Sequence, residues 1–256
     1  VGYTKKAIYL NDGEVAVLSK NSIDVKTLDL QPVSAKVEEI LTDLSAIQKG
    51  GYEHFLLKEI MEQPDTLRET LRGRVNQSEH SVHLGGPNLS IKELKSIRHL
   101  ILVGCGTAYY AAKTASYLFD QFLPDVTIEP VIASEYRYRH AYIPENSVAL
   151  IISQSGETAD TLACLRAIKA QGTKTIGIVN AIAREVDGGT YVHAGPEISV
   201  ASTKAFTSQV AALLMFGLTI AEAKGVNSHA LAPVIDELAN LPAEITRILQ
   251  ESGEQI

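Results

Sequence analysis

The sequence has few cysteines, and it lacks both a basic run and a long apolar run. Its 256 residues include only Cys105 and Cys164, which argues against a disulfide scaffold and favours a reducing, cytoplasmic compartment. No run of lysines or arginines is present and the net charge is −7, so we expect no nucleic acid among its partners. No stretch reaches eighteen apolar residues and no signal-peptide pattern is seen, so we expect no membrane partner either.

The seven histidines show no metal-type spacing such as His-x-x-x-His, and we expect no metal site. Apolar residues nevertheless make up 45% of the chain, enough for one large domain, or for one medium domain with attached pieces.

The first ninety residues predict a short β region followed by helices. Apolar runs at 7–10 and 14–18 flank Asn11-Asp12-Gly13, a composition typical of a hairpin turn, and residues 23–28 predict a third strand. Three strands are too few for a domain, so we expect the tail of a domain that begins upstream.

Two helical segments are then expected. One is amphipathic and covers 34–48, and the other covers 53–72 with an interruption at Pro64, where Asp65 is able to cap the second half. Residues 74–96 are polar and rich in turns.

From His99 onward, strands and helices alternate. Strands are predicted at 99–104, 126–132, 147–152, 174–179 and 190–194, with helices at 107–122, 158–171 and 202–224. The strands are apolar on both faces, as expected for a parallel sheet covered by helices on both sides. We therefore predict an α/β fold with a doubly wound five-stranded parallel sheet, in the flavodoxin-like order 2-1-3-4-5. A last amphipathic helix is expected at 229–251, bent near Pro242.

The loop after the third strand of this sheet predicts an anion site. It reads Ser153-Gln154-Ser155-Gly156-Glu157-Thr158 and runs into a helix. Hydroxyls and free N–H groups at a helix N-terminus suit a phosphate dianion. Four small or hydroxyl-bearing residues within these six positions are more than a helix cap needs. In the predicted strand order, the loop at Gly104-Cys105-Gly106-Thr107 faces the same crevice.

The glycine turn also allows a dinucleotide interpretation, with Glu129 at the end of the second strand as the ribose-binding acid. Tyr109 occupies the position where the fingerprint requires glycine or alanine, so we disfavour this interpretation and expect no cofactor. Cys105 could act as a nucleophile at a helix N-terminus, but packing of a small residue at a strand end is the simpler interpretation.

Two further groups of residues have both a structural and a functional interpretation. Arg137, Arg139 and His140 could hold an anion or a neighbouring subunit, but a salt-bridge network is favoured. Ser202 is in position either to cap the last helix or to contact the ligand, and Lys204 is more simply a surface or ion-paired lysine than a catalytic one.

These motifs together resemble the sugar isomerase (SIS) domain family. The resemblance rests on Gly-Cys-Gly-Thr at 104–107, Ser-Gln-Ser-Gly-Glu-Thr-Ala-Asp-Thr at 153–161 and Val-Ala-Ser-Thr-Lys-Ala-Phe at 200–206. More narrowly, Lys58-Glu59-Ile60-Met61-Glu62-Gln63-Pro64 is similar to the segment before the isomerase half of the amidotransferases that make glucosamine 6-phosphate from fructose 6-phosphate and glutamine.

The resemblance implies a domain organisation. Residues 1–30 would be the tail of a glutaminase domain, 31–90 a helical linker, 91–226 a first SIS domain and 227–256 a helix leading to a second. It implies a piece of a longer protein, active as a homodimer through its isomerase region. The family's catalytic cysteine, lysine, glutamate and histidine would lie outside this chain, which we therefore expect to be inactive alone.

The resemblance also implies the roles of individual residues. Ser153, Gln154, Ser155 and Thr158 would bind the 6-phosphate, and Thr107 with Val200, Ala201 and Ser202 would approach the sugar. Ala108 occupies a position where some members have a phosphate-binding serine. Two alternatives remain: a single-domain sugar-phosphate isomerase and a non-catalytic sugar-phosphate sensor.

Overall fold

A computed structural model describes residue 4 and residues 6–39, 48–156, 158–180 and 185–252. The chain divides into two compact units, 1–50 and 51–256, and each is described here by itself.

The first unit consists of two pairs of antiparallel strands. Strand β1 (Lys6–Ile8) pairs with β4 (Val37–Glu39), and β2 (Glu14–Leu18) pairs with β3 (Ile23–Thr27). The predicted hairpin between the first two strands is therefore wrong. The Glu14 carboxylate accepts the Asn11 backbone N–H at 2.8 Å, which shapes a turn between them without pairing them.

The helix predicted over 34–48 is also wrong where the structure describes it, because 37–39 form β4. Residues 40–47 of that prediction lie outside the described residues. The side chains of β4 are all exposed, so its extended form rests on pairing with β1 rather than on burial.

The second unit begins with helices α1 (Phe55–Met61) and α2 (Gln63–Leu71). The predicted break near Pro64 is confirmed, because Pro64 stands in the first turn of α2, where its missing N–H costs nothing. Asp65 does not cap this helix. Glu62 is the N-cap and makes no capping side-chain bond, while Asp65 pairs with Arg68.

The turn-rich segment contains three short elements that were not predicted. Strands β5 (Val75–Asn76) and β6 (Ser81–Val82) form a small hairpin, and helix α3 (Ile91–Ser96) follows. A reciprocal capping box between Ser90 and Glu93 explains why so short a helix begins there.

The predicted five-stranded parallel sheet is confirmed. Its strands are β7 (His99–Gly104), β8 (Thr127–Ile132), β9 (Ser147–Ser153), β10 (Lys174–Val179) and β11 (Gly188–Tyr191). They lie in the order β11-β10-β9-β7-β8, which is the predicted order 2-1-3-4-5. The last strand starts and ends earlier than predicted, with glycines at 188 and 189. A Cβ on Gly188 would lie 2.3 Å from the Pro87 carbonyl oxygen, so only glycine permits this approach.

The two faces of the sheet bury separate cores. Leu100 and Leu102 of β7 point into one cluster, and Ile101 and Val103 point into the other. Helices α4 (Thr107–Phe119), α7 (Lys204–Lys224) and α8 (Ser228–Ser252) contribute to the first cluster, whereas α5 (Ala133–Tyr136) and α6 (Ala159–Ala170) contribute to the second. This two-sided burial explains the uninterrupted apolar strands.

Helix α7 is long and apolar enough to cross a membrane by length and composition alone. Two thirds of its apolar window, 67%, is buried inside the protein, as expected for the central helix of the larger core. Helix α8 runs through both Pro233 and Pro242.

Candidate functional site

The turn after β9, here called the serine turn (residues 153–158), carries the four predicted phosphate-binding residues. Ser153 is buried, Gln154 is half-buried, and Ser155 and Thr158 are exposed. Ser153 Oγ accepts the Gly156 N–H at 3.0 Å and lies 3.5 Å from Thr158 Oγ1. Gly156 has a φ of +74°, a conformation that favours glycine. Ser153 thus shapes the turn, and the exposed side chains of Ser155 and Thr158 face solvent.

Helix α6 starts directly from the serine turn. Thr158 is its N-cap but makes no capping side-chain bond, so its hydroxyl is not committed to the first helical turn. The first N–H groups of a helix have no partner within it, and the helix dipole places partial positive charge there. The serine turn therefore combines exposed hydroxyls with an anion-attracting helix end.

A second turn lies at the same edge of the sheet, after β7. Strands β7 and β9 are parallel neighbours, with Val103 opposite Ile151, and β8 lies on the other side of β7. The strand order reverses between β7 and β9, and ligands bind at such a reversal in open α/β sheets. Gly104 allows the tight exit of the chain, because a Cβ there would lie 2.7 Å from the Ala108 carbonyl carbon. Thr107 begins α4 and is exposed, while Ala108 is buried in the core.

The arginines after β8 form ion pairs, as the favoured interpretation predicted. Arg137 binds Asp160 in the first turn of α6 at 2.5 Å, and Arg139 lies 3.6 Å from Glu129. Hydrogen bonding to Asp160 raises the pKa of Arg137 above its ordinary value. His140 is exposed. This network fixes the segment after β8 beside the start of α6.

Glu129 does not stand where a ribose-binding acid is needed. It lies in the middle of β8 opposite Ile101, and the strand continues through Pro130 to Ile132. Proline is tolerated there because β8 is an edge strand. The Glu129 carboxylate contacts His99 Nε2 at 3.2 Å as well as Arg139. The expectation that Glu129 ends the strand was wrong.

Both cysteines are free. Cys105 is half-buried and packs against the core cluster on the α6 side of the sheet, which agrees with a packing role. Cys164 is fully buried, donates to the Ala133 carbonyl at 3.1 Å, and has its thiol pKa raised to about 11 by burial.

The 198–203 turn, which contains Val200, Ala201 and Ser202, connects the last strand to α7. Val200 and Ala201 are exposed and, together with α1 and Leu249, line a largely apolar cavity of about 1030 Å³. Ser202 is half-buried and is not the helix cap, because α7 begins at Lys204 with Thr203 as N-cap. The described hydrogen bonds of this turn run to Glu59 and Glu197.

Lys204 is ion-paired, as expected, but it is buried rather than at the surface. Its exposure is 4%, and its Nζ donates to Glu62 Oε2 at 2.7 Å. The acids that hold this region, Glu59, Glu62 and Glu197, were not predicted as functional residues. In the sequence, Glu59 and Glu62 were indicated only by the family resemblance of the 58–64 segment, and nothing indicated Glu197.

The sheet order and the hydroxyl-rich turn at its switch point define a doubly wound α/β domain with a candidate ligand site. The SIS domain model matches residues 93–219, from α3 into the C-terminal half of α7. Residues 93–219 of this chain belong to the SIS domain family.

Curated relatives longer than this chain are similar to almost the whole of it. The chain is 41% identical to the glutamine–fructose-6-phosphate aminotransferase (isomerizing) of Chlorobaculum tepidum and 40% identical to that of Bacteroides thetaiotaomicron. Each alignment covers 98% of this chain and 42% of the relative, so the chain spans about two fifths of the length of these curated relatives.

A solved structure supports the same relationship. The C-terminal domain of glucosamine-fructose-6-phosphate aminotransferase from Francisella tularensis superposes with a TM-score of 0.71 at 37% identity. The match covers 77% of this chain and 56% of the solved chain.

Proposed function

We propose that this chain is the sugar-phosphate-binding part of an amidotransferase that forms glucosamine 6-phosphate from fructose 6-phosphate and glutamine. The observation that carries the proposal is the serine turn, at the switch point between β7 and β9 and at the start of α6. The names of the longer relatives supply the substrates and the reaction. In the reaction, ammonia attacks the open-chain ketose carbonyl and a proton moves between C1 and C2.

In this proposal the serine turn holds the 6-phosphate. Ser155 and Thr158 donate their hydroxyls, the half-buried Gln154 adds its amide, and Ser153 keeps the turn in shape. Hydrogen bonds to a charged group contribute about 1.5–3 kcal/mol each, so these three supply about 4.5–9 kcal/mol before the cost of association, and contacts to the sugar add to them. Thr107 and the segment Val200–Ser202 contact the sugar.

The domain assignments and the partners belong to the same proposal. Residues 1–30 are the end of a glutaminase domain, 31–90 a linker, 91–226 the first SIS domain and 227–256 the start of a connection to a second. The catalytic groups lie in the remaining parts, the assembly is a homodimer through the isomerase region, and the protein acts in the cytoplasm.

Ligand-dependent thermal stability tests the binding role. Fructose 6-phosphate and glucosamine 6-phosphate should raise Tm, since a ligand at 100 times its Kd stabilises the folded state by about 2.7 kcal/mol. NAD should leave Tm unchanged. A rise with NAD alone would favour the dinucleotide interpretation instead.

Substitution of the turn tests the site. Ser155→Ala should lower the affinity for fructose 6-phosphate about tenfold or more, because it removes one hydrogen bond to a dianion. Calorimetry measures this affinity. The matched control is Ser34→Ala, since Ser34 is exposed and lies outside the helices and strands. Equal affinities for both variants would contradict the site.

Turnover separates the proposal from a complete isomerase. Residues 1–256 incubated with fructose 6-phosphate, with and without ammonia, should give no new sugar phosphate by NMR above a protein-free control. Product formed without ammonia would favour a single-domain isomerase, and amino sugar formed with ammonia would contradict the location of the catalytic groups outside this chain.

A further inference from the structure

The 198–203 turn is held at its first end by a carboxylate from another part of the chain. Glu59 of α1 is 2% exposed. Its Oε1 accepts the N–H of Ile198 at 2.6 Å and that of Ser199 at 3.2 Å. Hydrogen bonds from backbone N–H groups to an ionised carboxylate are among the stronger ones in proteins, so this end of the turn is tied to α1.

The other end of the turn is held by two more acids. Glu197 Oε1 accepts the N–H of Thr203 at 2.8 Å and that of Ala205 at 3.3 Å. The next residue after Thr203 is Lys204, whose ion pair with Glu62 ties the start of α7 to the region between α1 and α2. Glu59 and Glu62 both belong to the 58–64 segment, which is thereby connected to both ends of the turn.

Between these anchors, Val200 and Ala201 are exposed and Ser202 is half-buried. Val200 and Ala201 both line the apolar cavity beside α1. Burying carboxylates is a poor way to gain stability alone, because their desolvation offsets most of the attraction. Glu59 Oε2 is buried without a hydrogen-bond partner among the described residues, so this carboxylate is not arranged for maximal stability. The burial of the Glu59 carboxylate is instead explained by a need to hold the 198–203 turn in one conformation.

We propose that Glu59, together with Glu62 and Glu197, is a positioning residue that holds Val200, Ala201 and Ser202 in the conformation that contacts the sugar part of the ligand. The inference rests on the proposed function for its ligand. It assigns a role to the 58–64 segment: these residues touch no substrate and act through the 198–203 turn.

Two ligands distinguish positioning from general damage. Calorimetry on residues 1–256 would measure the affinities for fructose 6-phosphate and for inorganic phosphate. The proteins compared are wild type, Glu59→Ala and Glu59→Gln. Inorganic phosphate reports on the serine turn alone. We expect Glu59→Ala to lower the affinity for fructose 6-phosphate by about tenfold and the affinity for inorganic phosphate by less than about twofold. Glu59→Gln keeps one acceptor oxygen and should recover part of the loss.

The matched control is Glu69→Ala, which removes a carboxylate from a partly exposed pair with Arg72 on the surface of α2. It should change neither affinity. Equal weakening of both ligands by Glu59→Ala, or no weakening of either, would overturn the positioning role.

Hydrogen exchange tests the same contact without a ligand. In Glu59→Ala, amides of Ile198 and Ser199 should exchange at least about tenfold faster than in wild type, while peptides from the serine turn remain unchanged. Unchanged exchange at 198–199 would overturn the inference even if fructose 6-phosphate binds. If wild type binds no fructose 6-phosphate, the proposed function fails and the sugar-contact role fails with it, whereas the exchange result still decides whether Glu59 holds the turn.

Discussion

Gly217 lies in the middle of α7, where the absence of a side chain lets α4 approach. A Cβ at this position would lie 2.3 Å from Cε1 of the Phe119 ring. Phe119 is fully buried in the larger core, so its ring is enclosed by other core side chains. At position 217 close packing favours glycine, whereas helix propensity favours alanine.

We predict that Gly217→Ala destabilises the protein. Alanine is favoured over glycine in a helix by about 1 kcal/mol, but overpacking a filled core costs typically about 1–3 kcal/mol, and an overlap this deep with a fixed ring should lie at the upper end. The expected net loss is about 1–2 kcal/mol, measured by urea unfolding.

The control for this substitution is Gly85→Ala. No atom lies within 4 Å of a Cβ built at Gly85, and its φ is not positive. The same chemical change should therefore leave the unfolding midpoint nearly unaltered. A stabilised Gly217→Ala variant would mean that α4 and α7 separate more easily than the packing indicates.

At the scale of elements, α3 depends on one carboxylate. Glu93 completes the capping box with Ser90 and also binds Lys174 Nζ of β10 at 2.8 Å. The bond from Lys174, followed by those from Ser90, lowers the pKa of Glu93 to about 2. Because the folded pKa is below the unfolded one, the contribution to stability is present above about pH 4.5 and is lost as the pH falls towards 2.

Glu93→Gln should therefore be less stable than wild type at pH 7, and the difference should shrink between about pH 4.5 and pH 2. Glutamine can still serve in a capping box, so the loss reports mainly on the charge pair between α3 and the sheet. Chemical unfolding over this pH range measures it. The exposed Glu145→Gln is the comparison, and a difference that stays constant with pH would contradict the role of the charge.

For the whole molecule, the net charge of −7 opposes the approach of a phosphate dianion. The proposed site attracts its ligand by hydroxyls and a helix N-terminus, which act over short distances. We predict that the association rate of fructose 6-phosphate stays constant or rises between about 10 and 150 mM salt, because screening reduces long-range repulsion. Stopped-flow measurements in two different salts would check this, and a steep fall in both would reveal a steering basic field instead.

Much of the larger unit follows from its sequence. The strands β7, β9 and β10 are largely apolar and buried because both of their faces are covered, and their predicted bounds agree with the structure within one residue. The serine turn was recognisable for a related reason: its polar residues interrupt an apolar strand and precede a helix. Its role as a phosphate site remains a prediction.

In the smaller unit the three predicted strands are present, but the fourth strand and the pairing of the first were not predicted. Strand β4 has the sequence Val-Glu-Glu and is exposed throughout, so no hydrophobic period marks it as extended. Its conformation comes from a partner, β1, some thirty residues earlier. Local patterns do not specify pairing of this kind.

The sequence by itself thus determined the strands of the sheet and the turn that follows β9, since burial on two faces and polar interruption are local patterns along the chain, whereas the strand order was predicted from the common topology of doubly wound sheets. Only the tertiary structure decided what holds the 198–203 turn. Glu59 reaches Ile198 across 139 residues of sequence, and Lys204 reaches Glu62 across 142. A carboxylate and its distant N–H partners share no periodicity, so their meeting depends on the folded packing of α1 against the loop before α7.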